Sequence, residues 1–258
     1  MANRGRIVWY ELLSTDPAGS RTFYPEVVGW TTEAWGDGGY TMWVGSQGPL
    51  GGVSDLPAAA RAMGAPSFWQ CSVQVDDVDA SIAKVTELGG KVHHVETVPT
   101  VGRLAVIADP QGAVLSLFTP EREMAAHDRA QPGEFQWHEL MTTDPEAALA
   151  FYGTIAGWEP MGVNDMGAMG PYLLWGREGR QLGGMMRLPP GAKAPDGRAV
   201  PPSWMYYVTV ADLDAALARA TERGARVIMG PMAVPTGQRV VLLLDPQGAA
   251  FALTEPPR

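Results

Sequence analysis

Two glutamates occupy the same place in a repeated segment, and their neighbours suggest proton chemistry. Trp9-Tyr-Glu-Leu-Leu-Ser-Thr-Asp-Pro17 returns as Trp137-His-Glu-Leu-Met-Thr-Thr-Asp-Pro145. Both segments read as strands, and side chains along a strand alternate between faces. Trp9, Glu11 and Leu13 therefore share one face, as do Trp137, Glu139 and Met141. A carboxyl group set among indole and alkyl groups loses hydration, which raises its pKa and poises it as a general acid or base. Glu11 and Glu139 are the catalytic candidates on this ground. His93 and His94 are adjacent on a later strand, so one of them is expected to join Glu11 and complete a pair able to move protons at neutral pH. Arg103 and Arg239 recur before a central strand and are candidate partners for the glutamates. Spacing supports no Ser-His-Asp or Cys-His triad, Walker loop or dinucleotide-binding glycine pattern. His138 alternates to the opposite face and reads as structural, and Cys71 reads as a small buried hydrophobe.

These residues belong to a chain that repeats itself. Phe23-Tyr24 and Gly29-Trp30 return as Phe151-Tyr152 and Gly157-Trp158. Trp43 returns as Trp175, Gly51-Gly52 as Gly183-Gly184, and Asp109-Pro-Gln-Gly112 as Asp245-Pro-Gln-Gly248. Each half reads as β-α-β-β-β taken twice. Asp16 caps a first helix with Pro17 at its first position, and Asp144-Pro145 does the same later. Asp77 caps a helix whose apolar face carries Val78, Ile82, Val85 and Leu88 and which stops at Gly89-Gly90. Asp212 opens its counterpart. Short strands are expected at 40–45 and 50–56. Gly36-Asp-Gly-Gly39 and the stretch 162–170 read as loops. The expected layout is a first domain over 1–120, a polar linker over 121–134 that contains a helical turn, and a second domain over 135–258.

The 258 residues are 46% apolar and 18% charged, with a net charge of −9, an ordinary globular composition. A field of that sign repels phosphate and anionic lipid, so nucleic acid and membrane are not expected partners. One cysteine allows no internal disulfide, and no run of about 18 apolar residues occurs. These features lead us to expect a cytoplasmic protein, monomeric or homodimeric.

The β-α-β-β-β order, the Phe-Tyr pair late in the first helix and the Asp-Pro-Gln-Gly turn before the last strand resemble the vicinal-oxygen-chelate (glyoxalase, bleomycin resistance and dioxygenase) superfamily. The similarity extends over nearly the whole chain and is nearest to two-domain glyoxalase-like proteins of actinobacteria. It implies an α+β fold of four βαβββ modules forming two cup-shaped mixed sheets, with helices on the convex side and ligand on the concave one. It also implies metal ligands at four places in each half. Here those places hold Trp9 and Trp137, the neighbourhoods of Val53 and Met185, Gln70 and Met205, and Ser116 and Ala252. Indole, alkyl and thioether groups, with neutral Gln and Ser, make a poor set for a divalent cation. No metal and no other cofactor is therefore expected.

With Trp9 on the concave face, parity adds Gln70, Ser72 and Gln74 in the first half and Met205, Tyr207 and Thr209 in the second. Trp9, Trp43, Gln70, Ser72, Gln74, Ser116, Trp137, Trp175, Met205 and Tyr207 are the expected ligand-binding set. Trp30 and Trp158 read as core. Three readings stay open: a metal-independent binder of a small apolar or aromatic molecule, a cofactor-free isomerase, cyclase or lyase acting on a carbonyl compound through Glu11 or Glu139, and a catalytically inert duplicate used as an interaction or antigenic protein.

Overall fold

The computed structural model describes residues 3–36, 39–124, 131–193 and 197–256. Within them the chain forms four successive βαβββ modules, as the repeat predicts. The first holds β1 (Ile7–Ser14), α1 (Pro17–Val28), β2 (Thr31–Trp35), β3 (Tyr40–Gly45) and β4 (Gly48–Asp55). A short helix, α2 (Ala58–Ala62), leads to the second: β5 (Phe68–Gln74), α3 (Val78–Glu87), β6 (Lys91–Val98), β7 (Gly102–Ala108) and β8 (Val114–Pro120). The third comprises β9 (Phe135–Thr142), α4 (Pro145–Ala156), β10 (Glu159–Asp165), β11 (Pro171–Arg177) and β12 (Arg180–Arg187). The fourth comprises β13 (Ser203–Thr209), α5 (Leu213–Glu222), β14 (Arg226–Ala233), β15 (Arg239–Leu244) and β16 (Ala250–Glu255).

The strands make two eight-stranded mixed sheets, ordered β2-β3-β4-β1-β5-β8-β7-β6 and β10-β11-β12-β9-β13-β16-β15-β14. Neighbouring modules thus share a sheet. Within each module the first and last strands pair in parallel, β1 with β4, β5 with β8, β9 with β12 and β13 with β16, while the hairpin pairs are antiparallel. Helices α1, α3, α4 and α5 start where expected. In each, the aspartate before the first turn accepts a hydrogen bond from the amide three residues on, at 2.9 to 3.1 Å. Gly29 and Gly157 close α1 and α4 with φ of 82° and 75°, a region costly for residues with a Cβ.

Two strands were not foreseen. Thr31–Trp35 forms β2, and Glu159–Asp165 forms β10 across part of the stretch expected to be loop. Both are edge strands with little buried side chain, so neither carries the apolar alternation by which a strand is recognised. Gly167–Met169 adds one 3-10 turn. Asp37, Gly38 and residues 125–130, where the helical turn was expected, lie outside the described residues. No described helix is long and apolar enough to cross a membrane.

Compactness divides the chain differently from the sheets. One unit gathers residues 1–8, 71–125 and 137–204, and the other 9–70, 126–136 and 205–258. In the second of these units α1 packs with α5, around Tyr24, Trp30, Trp43, Trp69, Phe135 and Phe251. The Tyr24 phenol accepts from Trp69 Nε1 at 2.9 Å and donates to Asp245 Oδ2 at 2.9 Å. In the other unit α3 packs with α4, and Tyr152 sits among Phe151, Trp158 and Trp204. There the Tyr152 phenol donates to Asp109 Oδ2 at 3.1 Å. Each aspartate belongs to an Asp-Pro-Gln-Gly turn and uses its other oxygen on that turn's own amides. The two motifs quoted for the family resemblance, Phe-Tyr and Asp-Pro-Gln-Gly, thus meet inside each unit.

Candidate functional site

Strand β1 has a buried side, Val8, Tyr10, Leu12 and Ser14, and a half-buried side, Ile7, Trp9, Glu11 and Leu13. On the half-buried side Glu11 collects three donors. Tyr40 donates to Oε2 at 2.6 Å, Ser54 donates to Oε1 at 2.7 Å, and Trp9 Nε1 reaches Oε2 at 3.3 Å. The same indole N–H also donates to the Tyr40 oxygen at 3.0 Å. Register explains the convergence. Glu11 lies beside Gly52 of β4, and Leu13 beside Ser54. A methyl group on Gly52 would fall 2.0 Å from the Tyr40 oxygen, so the missing side chain is what lets the phenol lie across to the carboxylate.

The arrangement recurs in the other unit. Trp137 Nε1 donates to the Tyr172 oxygen at 2.8 Å, and Tyr172 donates to Glu139 Oε2 at 2.8 Å. Glu139 lies beside Gly184, where an added Cβ would meet the Tyr172 ring at 2.0 Å. Met186 takes the place of Ser54, beside Met141. We call each arrangement of Trp, Glu and Tyr over a glycine a station.

Burial is the main influence on Glu11 and raises its pKa, against the lowering effect of the hydrogen bonds from Tyr40, Ser54 and Trp9. Burial and then the Glu11 charge push the Tyr40 phenol well up. The phenol therefore stays protonated and acts as a donor.

The remaining candidates are scattered. Gln70 is buried, while Ser72 and Gln74 on the same strand are half-buried. Ser72 lies beside Ser116, which is buried, and Tyr207 lies beside Ala252. Met205 is half-buried. Trp43 and Trp175 need correction, because each is fully buried within an aromatic cluster rather than on a wall open to ligand. Trp43 packs against Tyr24 and Trp30, and Trp175 stacks on Trp158 at 3.9 Å. Parity gives the reason: Tyr40 and Met42 point to one side of β3, and Trp43 to the other. His93 and His94 also differ from expectation. They lie on the exposed edge strand β6, and His94 pairs with Glu96 at 3.3 Å, not with Glu11. A register shift between Val92 and His94 leaves His93 on a bulge. Arg103 binds Asp79 at 2.7 Å and Arg239 binds Asp214 at 2.7 Å, so neither serves a station glutamate. His138 is core, as expected: its Nδ1–H donates to the Leu182 carbonyl at 2.9 Å, and burial lowers its pKa to about 4.

Tyr40, Tyr172, Ser54 and the two glycines were not among the candidates. Both tyrosines recur at the spacing of 132 that relates Trp43 to Trp175 (175 − 43 and 172 − 40), so the duplication held the signal.

A profile of the Glyoxalase/Bleomycin resistance protein/Dioxygenase superfamily matches residues 134–253, and a glyoxalase-like domain profile matches 10–118. The chain belongs to this superfamily. A Mycobacterium tuberculosis protein named "Putative glyoxylase CFP32" is 32% identical over 96% of this chain and 94% of its own. The anthracycline biosynthesis protein DnrV of Streptomyces peucetius is also 32% identical, over 97% of this chain and 93% of its own. Among solved structures, the Mn(II)-bound glyoxalase of Novosphingobium aromaticivorans is similar over 99% of this chain and 83% of that one, with TM-score 0.63 and 14% identity. The 2,3-dioxygenase LapB of Pseudomonas sp. KL28 gives 0.65 at 11% identity, over 99% and 94%. At those identities the likeness shows the fold.

The superfamily resemblance implies a divalent cation, and the donor set here does not fit one. At the first ligand place the indoles of Trp9 and Trp137 present an N–H, which has no lone pair to offer, and both N–H groups are spent on tyrosines. Near the second place Val53 and Met185 are buried hydrophobes, and at the fourth Ala252 has no donor atom. Among the described residues no group of three or more His, Cys, Asp and Glu could hold a metal ion.

Proposed function

We propose that this superfamily member is a metal-independent protein that binds a small, largely apolar or aromatic molecule against the half-buried face carrying each station. The observation that carries this reading is an indole at the first ligand place of each half, its N–H already given to a tyrosine that in turn donates to the glutamate. Trp9, Leu13, Tyr40 and Met42 offer flat and apolar surface, with Glu11 and Ser54 as polar groups that orient a ligand. The name of the relative DnrV, which ties it to anthracycline biosynthesis, agrees with an aromatic ligand. In the test, the purified chain is dialysed against a chelator, analysed for metals, and melted with a panel of aromatic compounds. A bound compound raises the midpoint with concentration, adding about 2.7 kcal/mol of stability at one hundred times Kd. Chelation is expected to leave both the midpoint and the ligand response unchanged. A stoichiometric transition metal whose removal abolishes binding would overturn the reading.

One observation favours the second reading, a cofactor-free isomerase, cyclase or lyase. The 2.6 Å hydrogen bond between Tyr40 and Glu11 joins two groups whose pKa values burial raises, as acid–base work on a carbonyl compound would use. Loss of turnover in Glu11→Gln or Glu139→Gln, with affinity kept, would select the enzyme. Unchanged ligand recovered from wild type would select the binder.

A further inference from the structure

Among the described residues the Glu11 carboxyl has no counter-ion. Its three neighbours, Trp9, Tyr40 and Ser54, are all neutral donors, and among the described residues no Lys, Arg or His pairs with it. Three donors fill three of roughly four lone-pair positions on a carboxylate. Among the described residues Ser54 is the one donor to Oε1, an oxygen that can accept a second hydrogen bond. The face around it is half-buried throughout, at Trp9, Leu13, Tyr40, Met42 and Ser54, whereas Tyr10, Leu12 and Trp43 behind it are buried. The carboxyl is thus dehydrated by its neighbours, and among the described residues no cation offsets its charge when it is ionised. Two aromatic rings flank it, and an indole that gives its N–H to oxygen gains electron density on its ring. A compact organic cation would be recognised twice here, by a charge-assisted hydrogen bond to Oε1 and by attraction to the ring faces. The net charge of −9 favours approach of such a cation.

We propose that the first station binds the ammonium group of an arylalkyl amine, with the amine on Glu11 and its apolar part along Trp9, Leu13 and Met42. This rests on the small-molecule reading above and adds the charge of the ligand.

The experiment titrates the full chain with benzylammonium, benzyl alcohol and benzoate. It follows the Trp9 indole N–H resonance, assigned with Trp9→Phe. Benzylammonium is expected to saturate the shift with at least tenfold higher affinity than benzyl alcohol, and benzoate to leave it unmoved. Glu11→Gln is expected to remove that preference, bringing benzylammonium to the affinity of benzyl alcohol for the same variant. Ser54→Ala, which keeps the charge, is expected to retain it. Equal affinity for the amine and the alcohol, a preference that survives Glu11→Gln, or its loss in Ser54→Ala would overturn the cation assignment and leave apolar binding standing. If no probe moves the resonance, both fail.

Discussion

Gly52 and Gly184 are bare because a phenol crosses the space that a side chain would fill. Gly52→Ala puts a methyl group against the Tyr40 oxygen, and such overpacking costs about 1–3 kcal/mol. The expected outcome is a lower melting temperature. In a Tyr40→Ala background the same glycine change should cost almost nothing, so a double-mutant cycle would show strong coupling. Additive effects would show that Tyr40 does not lie over Gly52. Asp245 makes a second prediction. Burial, the largest influence, raises its pKa from 3.8 to about 6 despite amide and Tyr24 hydrogen bonds. Between about pH 4 and 6 the native state keeps a proton that the unfolded chain has lost, so this group's contribution to stability falls as pH rises. The drop is about 3 kcal/mol across the window, constant above it. Asp245→Asn should flatten the slope of unfolding free energy against pH there, as measured by urea titration. An unchanged slope would show that Asp245 does not titrate in that window.

At the scale of elements, what was legible in the sequence was whatever a buried face or a cap imposes. The four aspartate caps are local chemistry, with each carboxylate three residues from the amide it serves. Asp212→Ala is therefore expected to cost about 1 kcal/mol, read as a shift in the urea midpoint with the slope unchanged. Strand β1 was legible because its alternation matches its two environments, and this placed Glu11 and Trp9 together correctly. Edge strands β2 and β10 have no buried face to alternate against, so Thr31–Trp35 and Glu159–Asp165 carried no pattern. The partners of Glu11 were hidden for another reason. Tyr40 and Ser54 come from strands 29 and 43 residues away in sequence, and only register against Gly52 brings them in. The histidines failed as candidates because β6 has no covering strand beyond it, and exposed side chains there find solvent and Glu96 first.

At the scale of the whole molecule, each compact unit takes one module from either half of the chain. Phe23-Tyr24 of the first module meets Asp245 of the fourth, and Phe151-Tyr152 of the third meets Asp109 of the second. Halves cut within 125–130 should therefore each lack a partner for a buried phenol and a buried carboxylate, as well as for an apolar helix face. Unpaired buried polar groups of this kind cost about 1–3 kcal/mol apiece. Each half alone is expected to melt broadly at a lower temperature, and a mixture to regain one sharp transition in circular dichroism. Sharp melting of a monomeric half would refute this.

The crossed tyrosine–aspartate pairs also bear on how such a chain can be recombined. A chimera that takes residues 1–124 from this protein and the remainder from a relative must bring together two aromatic pockets and two acidic turns of separate parentage. Compatibility is then decided at Tyr24–Asp245 and Tyr152–Asp109, each pair with one member on either side of the splice. Grafts that exchange both members of a pair together are the ones that should fold.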